Sequence, residues 1–295
     1  MSSFLGIDIG GSSIKFALTT SEGLIDGTFK TVAHNGADVL DVILRAAIEL
    51  INASADPVTA IGVGSPGYLN LEQTEVIYAA NLDWRDFPLV EHISTAMGLP
   101  VFLDGDANLA ALAEAHAGAA TGSTSSLFVA LGTGIGVAQV VNGTVWRGAH
   151  GAAGNAGHMP IAGINTECPC GQRNCWETVA SARALSAQLS AAGMSFEEAL
   201  SDAPAAQAVV TPWIESLTNG LVPLIALFDP AVIVIGGAIS ADAQPLLKHI
   251  ESAVKAKLLS AAYLPTPALR LAQLGGQAGA IGAGLYAAQR LEVNS

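Results

Sequence analysis

The stretch Phe4-Leu-Gly-Ile-Asp-Ile-Gly-Gly-Ser-Ser-Ile-Lys-Phe-Ala-Leu18 reads as strand, glycine turn, strand. Both apolar runs are short and rich in β-formers, and Gly10, Gly11, Ser12 and Ser13 between them are turn residues. A hairpin carries no helix after its glycines, so this is not a Walker-type loop, in which phosphate rests on the first N–H groups of a helix. The pattern returns at Leu127-Phe-Val-Ala-Leu131, Gly132-Thr-Gly-Ile-Gly136 and Val137-Ala-Gln-Val-Val141, without sequence identity to the first copy. Two such hairpins in one chain predict two related halves facing one cleft.

Working outward, Val39, Leu40, Ile43, Leu44, Ala47, Ile48 and Ile51 recur at helical spacing and predict a helix over Asp38–Ala53. Short buried strands follow at Ala60–Gly64 and Pro100–Leu103, and an Ala-rich helix at Asp106–Ala119. Beyond the second hairpin, helices are expected from Glu177 to about Ala192, from Pro212 to Leu227 and from Ala278 onward, with a buried strand at Val232–Ile235. Ser195–Val210 gives no clear pattern. Gly62-Val-Gly-Ser-Pro-Gly67 matches the dinucleotide-binding spacing letter for letter, but Pro66 and the polar stretch after it supply no helix to hold a pyrophosphate.

The chain has 295 residues, enough for two domains of ordinary size, and its mix of elements reads as α/β. Its net charge of −13, with 12 Lys plus Arg, repels phosphate backbones and anionic membranes, which argues against a nucleic-acid or membrane partner. The longest stretch without a formal charge, Ala115–Trp146, is too polar to span a bilayer, and no Lys or Arg precedes the apolar run within Met1–Gly10 as a secretory signal would require. A cytoplasmic protein is expected.

Phosphoryl transfer asks for donors that cradle phosphate oxygens, a carboxylate to help hold Mg²⁺, and a base beside the attacking hydroxyl. Gly10 and Gly11 would let backbone N–H groups approach an anion, Ser12 and Ser13 add hydroxyls, and Asp8 offers a metal-binding carboxylate. Gly132, Thr133 and Gly134 could serve likewise. Each glycine pair taken alone also reads as a plain β-turn. Asp106 stands where a strand gives way to a helix, a place that suits an ionised base and equally a helix cap.

Cys168, Cys170 and Cys175 lie within eight residues, too few and too crowded for a disulfide framework. With His158 they make a Cys₃His set suited to tetrahedral zinc, and four protein ligands leave no open position, so the site reads as structural.

These residues resemble the ROK family (repressors, open reading frames and kinases). The likeness is carried by Asp8–Lys15, Gly62–Gly67, Ala80-Asn-Leu-Asp-Trp84, Asp106-Ala-Asn108, Leu131–Gly136, Gly154–His158, Cys168-Pro-Cys-Gly-Gln-Arg-Asn-Cys-Trp-Glu177 and Asp229–Gly237. The resemblance implies an actin-like ATPase (ribonuclease H-like) fold with two domains around a nucleotide/sugar cleft. A small N-terminal domain, residues 1–115, would take back a C-terminal helix from about 283 to 295, and residues 116–282 would form a large domain with the zinc motif. The resemblance further implies a glucokinase-like, ATP-dependent carbohydrate kinase using ATP and Mg²⁺, with Asp106 as general base and a homodimeric assembly.

In that reading Asp8, Gly10, Gly11, Ser12, Lys15, Gly132, Thr133 and Gly134 attend the phosphates and metal, and Gly236 and Gly237 lie near the adenosine. His158 both binds structural Zn²⁺ and faces the sugar, while Gly67, Gly105, Asn155 and Glu177 line the substrate. Two positions depart from the family's kinases, which usually carry Asn where this chain has Gly105 and Glu where it has Asn155. An acceptor other than plain glucose is expected, a sugar, amino sugar or cyclitol with a different or bulkier substituent. The competing reading is a catalytically lapsed or regulatory sugar-binding protein of the same family. A DNA-binding repressor is disfavoured by the acidic balance and by a first hairpin that begins at Phe4 with no room ahead for a helix-turn-helix. Polyphosphate as donor is disfavoured by the scarcity of cations.

Overall fold

The run Phe4–Ile9 pairs back on Ile14–Thr19 in antiparallel register, as its glycine turn requires. The structure, a computed structural model, describes residues 2–20, 23–34, 38–239 and 243–293. In chain order the elements begin with β1 (Ser3–Ile9), β2 (Ser13–Thr20), β3 (Gly23–Ala33), α1 (Val39–Ala53), β4 (Val58–Ser65), β5 (Tyr68–Leu69), β6 (Val76–Ala79) and β7 (Trp84–Phe87). There follow α2 (Leu89–Met97), β8 (Val101–Gly105), α3 (Asp106–Ala117), β9 (Ser125–Leu131), β10 (Ile135–Val141), β11 (Thr144–Trp146), α4 (Glu177–Ala180), α5 (Ala182–Ala191) and α6 (Phe196–Ala199). The chain ends with α7 (Pro204–Phe228), β12 (Val232–Gly237), α8 (Gln244–Lys257), β13 (Ala268–Leu271) and α9 (Ala278–Val293).

Met1–Thr121, Gly143–Ala152 and Gly276–Ser295 form one compact unit, and Gly122–Asn142 with Ala153–Gly275 form the other. Where the sequence reading divides the chain after residue 115 and brings back a helix from about 283, the structure divides it after Thr121 and brings back Gly143–Ala152 and everything from Gly276.

The first unit's sheet has the order β3-β2-β1-β4-β8, with the hairpin antiparallel and β4 and β8 parallel to β1. Alternation sorts its strands cleanly. Leu5, Ile7 and Ile9 pack with Ile43, Ala47 and Leu50 of α1, whereas Phe4 on the opposite face packs with Ala287 and Ala288 of α9. On that second face Gly6 and Gly62 are required by contact: a Cβ on either would overlap a backbone carbonyl of α9, that of Ala280 or Ala283. The Gly- and Ala-rich composition is thus a packing device, letting helix backbone lie directly on sheet backbone.

In the second unit β10-β9-β12-β13 repeats the plan of β2-β1-β4-β8, an antiparallel hairpin followed by two parallel strands. Leu127, Val129, Ile233 and Ile235 bury against Trp213, Leu217 and Leu221 of α7 and Leu247 and Ile250 of α8. Each such fully buried aliphatic side chain contributes roughly 1.5–3 kcal/mol.

Two helix expectations need correction. The helix expected from Pro212 starts at Pro204 and runs 25 residues with Pro212 and Pro223 inside it. A proline within a helix costs about 3 kcal/mol, and burial of Val210, Trp213 and Ile214 around the first one offsets that loss. The single helix expected from Glu177 breaks at Ser181, whose backbone is extended and whose hydroxyl accepts from Ala184 N at 3.2 Å. Its carbonyl accepts the buried Trp213 indole N–H at 3.1 Å, a partner 32 residues away. After Gly62–Gly67 the chain enters β5 with no helix, as expected of a chance match to the dinucleotide spacing. Among the described residues no helix is long and apolar enough to cross a membrane.

Candidate active site and metal cluster

In the first unit Asp8 sits on the α9 face of β1, one residue from the end of the strand. Its carboxyl lies against the start of α9, where a Cβ on Gly279 would approach it to 2.5 Å. Lys15, paired with it across the hairpin, places Nζ 3.8 Å from Asp8 Oδ2. The turn is closed by Gly10 N donating to Ser13 O at 2.9 Å and held from outside by His34, whose Nε2 lies 3.1 Å from Gly10 O. Gly11 and Ser12 are exposed at its tip.

Asp106 is the first residue of α3, with Gly105 in the cap position, so the sequence alternative of a helix-capping Asp falls one residue short. Its Oδ1 accepts from Ala107 N at 2.7 Å. The residue is exposed by surface area, and desolvation by the protein packed around it raises its carboxyl above the ordinary carboxylate value, the Ala107 N–H opposing and the Asp104 charge adding. Asp8 is raised to about 6, first by burial and then by the charge of Asp106, with Lys15 pulling the other way. Register sets Asp8 level with Gly64 and Gly64 level with Asp104, so Asp8 and the start of α3 lie at the same end of the sheet.

Gly67 has φ of +91°, and a Cβ there would overlap Tyr78 O, so glycine is obligatory. Gly105 is different. Its φ of −67° and ψ of 144° suit any residue, and a Cβ would meet nothing nearer than Asn108 Nδ2 at 3.6 Å.

Sequence reasoning passed over Asp104 and Arg147. Asp104 is 2% exposed and accepts from Gly105 N at 2.8 Å, Asn108 Nδ2 at 2.9 Å and Arg147 Nε at 2.9 Å, with Arg147 Nη2 on the same oxygen. The available signal was a carboxylate at the end of the apolar run Val101–Leu103, which has to find a partner.

In the second unit the β9–β10 turn places Gly132 N 3.0 Å from Gly134 O and leaves Thr133 exposed. Register places Gly236 and Gly237 of β12 beside Ala130 and Leu131, at the foot of this turn. Ile135 N donates to Glu177 Oε2 at 3.3 Å, and a Cβ on Gly134 would overlap that same oxygen. Gly154 and Gly157 lie on the backbone of β10, where a Cβ on either would overlap the carbonyl of Val137 or Ile135. The short 3₁₀ turn Asn155–His158 is thereby fixed against the strand, with Asn155 exposed.

His158, Cys168, Cys170 and Cys175 converge, their ligand atoms all within 4.8 Å of one another. Cys170 and Cys175 sulfurs are 3.7 Å apart, too far for a disulfide, and Cys168 Sγ is 3.8 Å from His158 Nδ1. A tetrahedral zinc with ligands at about 2.3 Å separates them by about 3.8 Å, so the donor set fits that ion. Burial raises the Cys168 and Cys175 thiols, whereas the Gln172 N–H lowers Cys170. Glu177 adjoins the cluster, with Oε1 3.1 Å from Cys168 Sγ and 3.7 Å from His158 Nδ1.

Two sheets that each begin with a glycine-turned hairpin and continue with parallel strands define a two-domain α/β protein of the actin-like ATPase fold. The family model described as ROK family matches residues 4–290, and the chain belongs to that family. It is 32% identical to the glucokinase of Halalkalibacterium halodurans over 97% of this chain and 95% of that one. Among solved structures it is similar to the ROK hexokinase from Thermus thermophilus, with a TM-score of 0.83, 33% identity and 99% of each chain covered. It is also similar to a ROK family glucokinase from Streptomyces griseus in complex with glucose and AMPPNP, with a TM-score of 0.80, 28% identity and 97% and 99% of the two chains covered. The xylose repressor of Bacillus subtilis is 28% identical, over 87% of this chain and 69% of its own.

Proposed function

We propose that the protein is an ATP-dependent kinase that phosphorylates a hydroxyl of a sugar or sugar-like acceptor, with Asp106 as general base. The observation that carries the reading is that Asp8 and the strand-to-helix turn bearing Asp106 stand at one end of the same sheet, beside a glycine-serine hairpin. Asp106 accepts the proton of the acceptor hydroxyl, and its raised carboxyl makes it a stronger base than an ordinary Asp. Asp8 and Lys15 attend the phosphates and Mg²⁺, which when bound neutralises charge on the transferring phosphoryl group. Gly10, Gly11 and Ser12, and in the other unit Gly132, Thr133 and Gly134, offer N–H and hydroxyl donors to phosphate oxygens. Gly236 and Gly237 pass close to the adenosine.

His158, Cys168, Cys170 and Cys175 would hold a structural zinc, whose binding would tie down the segment that carries His158 and Glu177. Gly67, Gly105 and Asn155 complete the acceptor side. Because no backbone constraint demands glycine at 105, the space beside Asp106 is available to the acceptor itself. Together with Asn155, this favours an amino sugar, a cyclitol or a sugar bulkier than glucose on that edge. A homodimer in the cytoplasm is the expected setting.

A coupled ADP-release screen over sugars, amino sugars and inositols tests the reading, with Asp106→Asn as control. Turnover of an amino sugar or cyclitol that Asp106→Asn abolishes supports it, and glucose turnover with a micromolar KM would refute the acceptor assignment. The likeness to xylose repressors, with Gly105 and Asn155, favours a second reading, a sugar-binding regulator without turnover. Sugar binding by calorimetry with no ADP release across the panel would select it.

A further inference from the structure

In the first unit, side chains from distant segments bind two residues that precede Asp106, Leu103 and Asp104. Leu103 O accepts from Gln73 Nε2 at 3.0 Å, and Gln73 holds a left-handed backbone, with φ of 57°, in the position from which it does so. Tyr286 OH, on α9, donates to Gln73 Oε1 at 3.1 Å. The Arg147 guanidinium stacks over the Tyr286 ring at 5.0 Å and grips one oxygen of Asp104 with both Nε and Nη2. The other Asp104 oxygen accepts from Gly105 N and Asn108 Nδ2, on either side of Asp106. Four separate segments, carrying Gln73, Leu103–Asn108, Arg147 and Tyr286, thus meet behind the strand-to-helix turn that presents the base.

Arg147 belongs to Gly143–Ala152, which leaves β10 and returns to Gly154, yet packs with the first unit. Burial works against its charge, and the Asp104 carboxylate outweighs burial, so the guanidinium holds its proton more firmly than usual. We propose that Arg147 is a positioning residue for Asp106: by clamping Asp104 from this separate segment it fixes the Asp104-Gly105-Asp106 turn and neutralises the charge next to the base. The inference rests on Asp106 being the base of the proposed kinase.

The charged groups around Asp106 are Asp8 on β1 with Lys15 behind it on β2, Asp104 on β8, and Arg147 opposite Asp104. Behind Arg147 stand Tyr286 and Arg290 on α9. Removing the Arg147 charge leaves the Asp104 negative charge uncompensated, so Asp106 keeps its proton to higher pH. Removing the Asp104 charge does the opposite. The positioning role is isolated by Arg147→Lys, which keeps the charge and loses the two-pronged grip on Asp104.

The test uses the full chain with Arg147→Met, Arg147→Lys and Asp104→Asn. Carboxyl-carbon NMR titration of the ligand-free protein reads Asp106, its resonance being assigned by its loss in Asp106→Asn. Steady-state kinetics use ATP and the best acceptor of the panel. Arg147→Met is expected to move the titration up and lower kcat about 100-fold with the KM for ATP little changed, the scale of a misplaced reacting group. Arg147→Lys keeps the charge but not the fork, so it lowers kcat about 10-fold and leaves the titration in place. Asp104→Asn moves the Asp106 titration down.

Wild-type kcat in both Arg147 variants, or titrations that move in the same sense in Arg147→Met and Asp104→Asn, would overturn the proposal. If Arg147→Met does not fold, kcat of Arg147→Lys together with the Asp104→Asn titration decides. An empty acceptor panel would instead count against the kinase reading, and the NMR titration would still answer for Arg147.

Discussion

Replacing Asp8 by Asn should stabilise the ligand-free protein at neutral pH while ending its activity. An Asp free of the fold titrates near 3.8, and burial together with Asp106 lifts Asp8 to about 6. The folded protein therefore holds this proton more tightly than the unfolded chain. The favourable contribution is complete below about pH 4 and is lost as pH rises through about 6. The difference of about 2 pKa units corresponds to about 3 kcal/mol. Asn keeps the uncharged state at every pH and sheds only the Lys15 pair, which at 3.8 Å with the lysine 30% exposed is a weak contact. Such pairs contribute about 1 kcal/mol or less. Urea denaturation followed from pH 4 to pH 8 should show a gap between variant and wild type that opens from under about 1 kcal/mol to about 2 kcal/mol or more. A variant no more stable than wild type at pH 8, or a gap independent of pH, would show that Asp8 is not held in a desolvated, carboxylate-rich site.

Metal analysis of protein purified without chelator should find one zinc per chain, and Cys175→Ser should lose it and lower the melting temperature. Gly62→Ala should fail to fold or lose more than about 3 kcal/mol, because its Cβ overlaps a carbonyl of α9 that cannot move alone. Gly67→Ala should be strongly destabilising because of its left-handed backbone, whereas Gly105→Ala should melt within a few degrees of wild type. Gly105→Asn should remain folded and narrow the range of acceptors, read on the same ADP-release panel.

Much of this molecule was legible because its signals are local. The hairpins announce themselves through glycine turns between β-rich runs, and three cysteines within eight residues leave little to interpret. What could not be read depends on partners distant in the chain. Ser181 breaks a helix for the sake of Trp213, and Pro212 is tolerated inside α7 because its neighbours are buried. Asp104 acquires a meaning only when Arg147, 43 positions on, closes over it. The segments of β5, β6, β7, α2, α8 and β13 gave no individual expectation, since each is short or owes its form to the sheet or core it joins. The abundance of Gly and Ala, uninformative as composition, becomes intelligible once α9 is seen lying on β1 and β4.

The central claim is that the Asp106 carboxylate takes the acceptor's proton. It is tested most directly by the pH dependence of kcat/KM for the best acceptor, in wild type and Asp106→Asn. The account predicts an acid limb above the ordinary carboxylate range in the wild type, set by the desolvated carboxyls. It also predicts a loss of about 10²- to 10⁴-fold in Asp106→Asn, with that limb displaced to lower pH and the KM for ATP preserved. An Asp106→Asn protein that turns over at the wild-type rate with the same acid limb would contradict it.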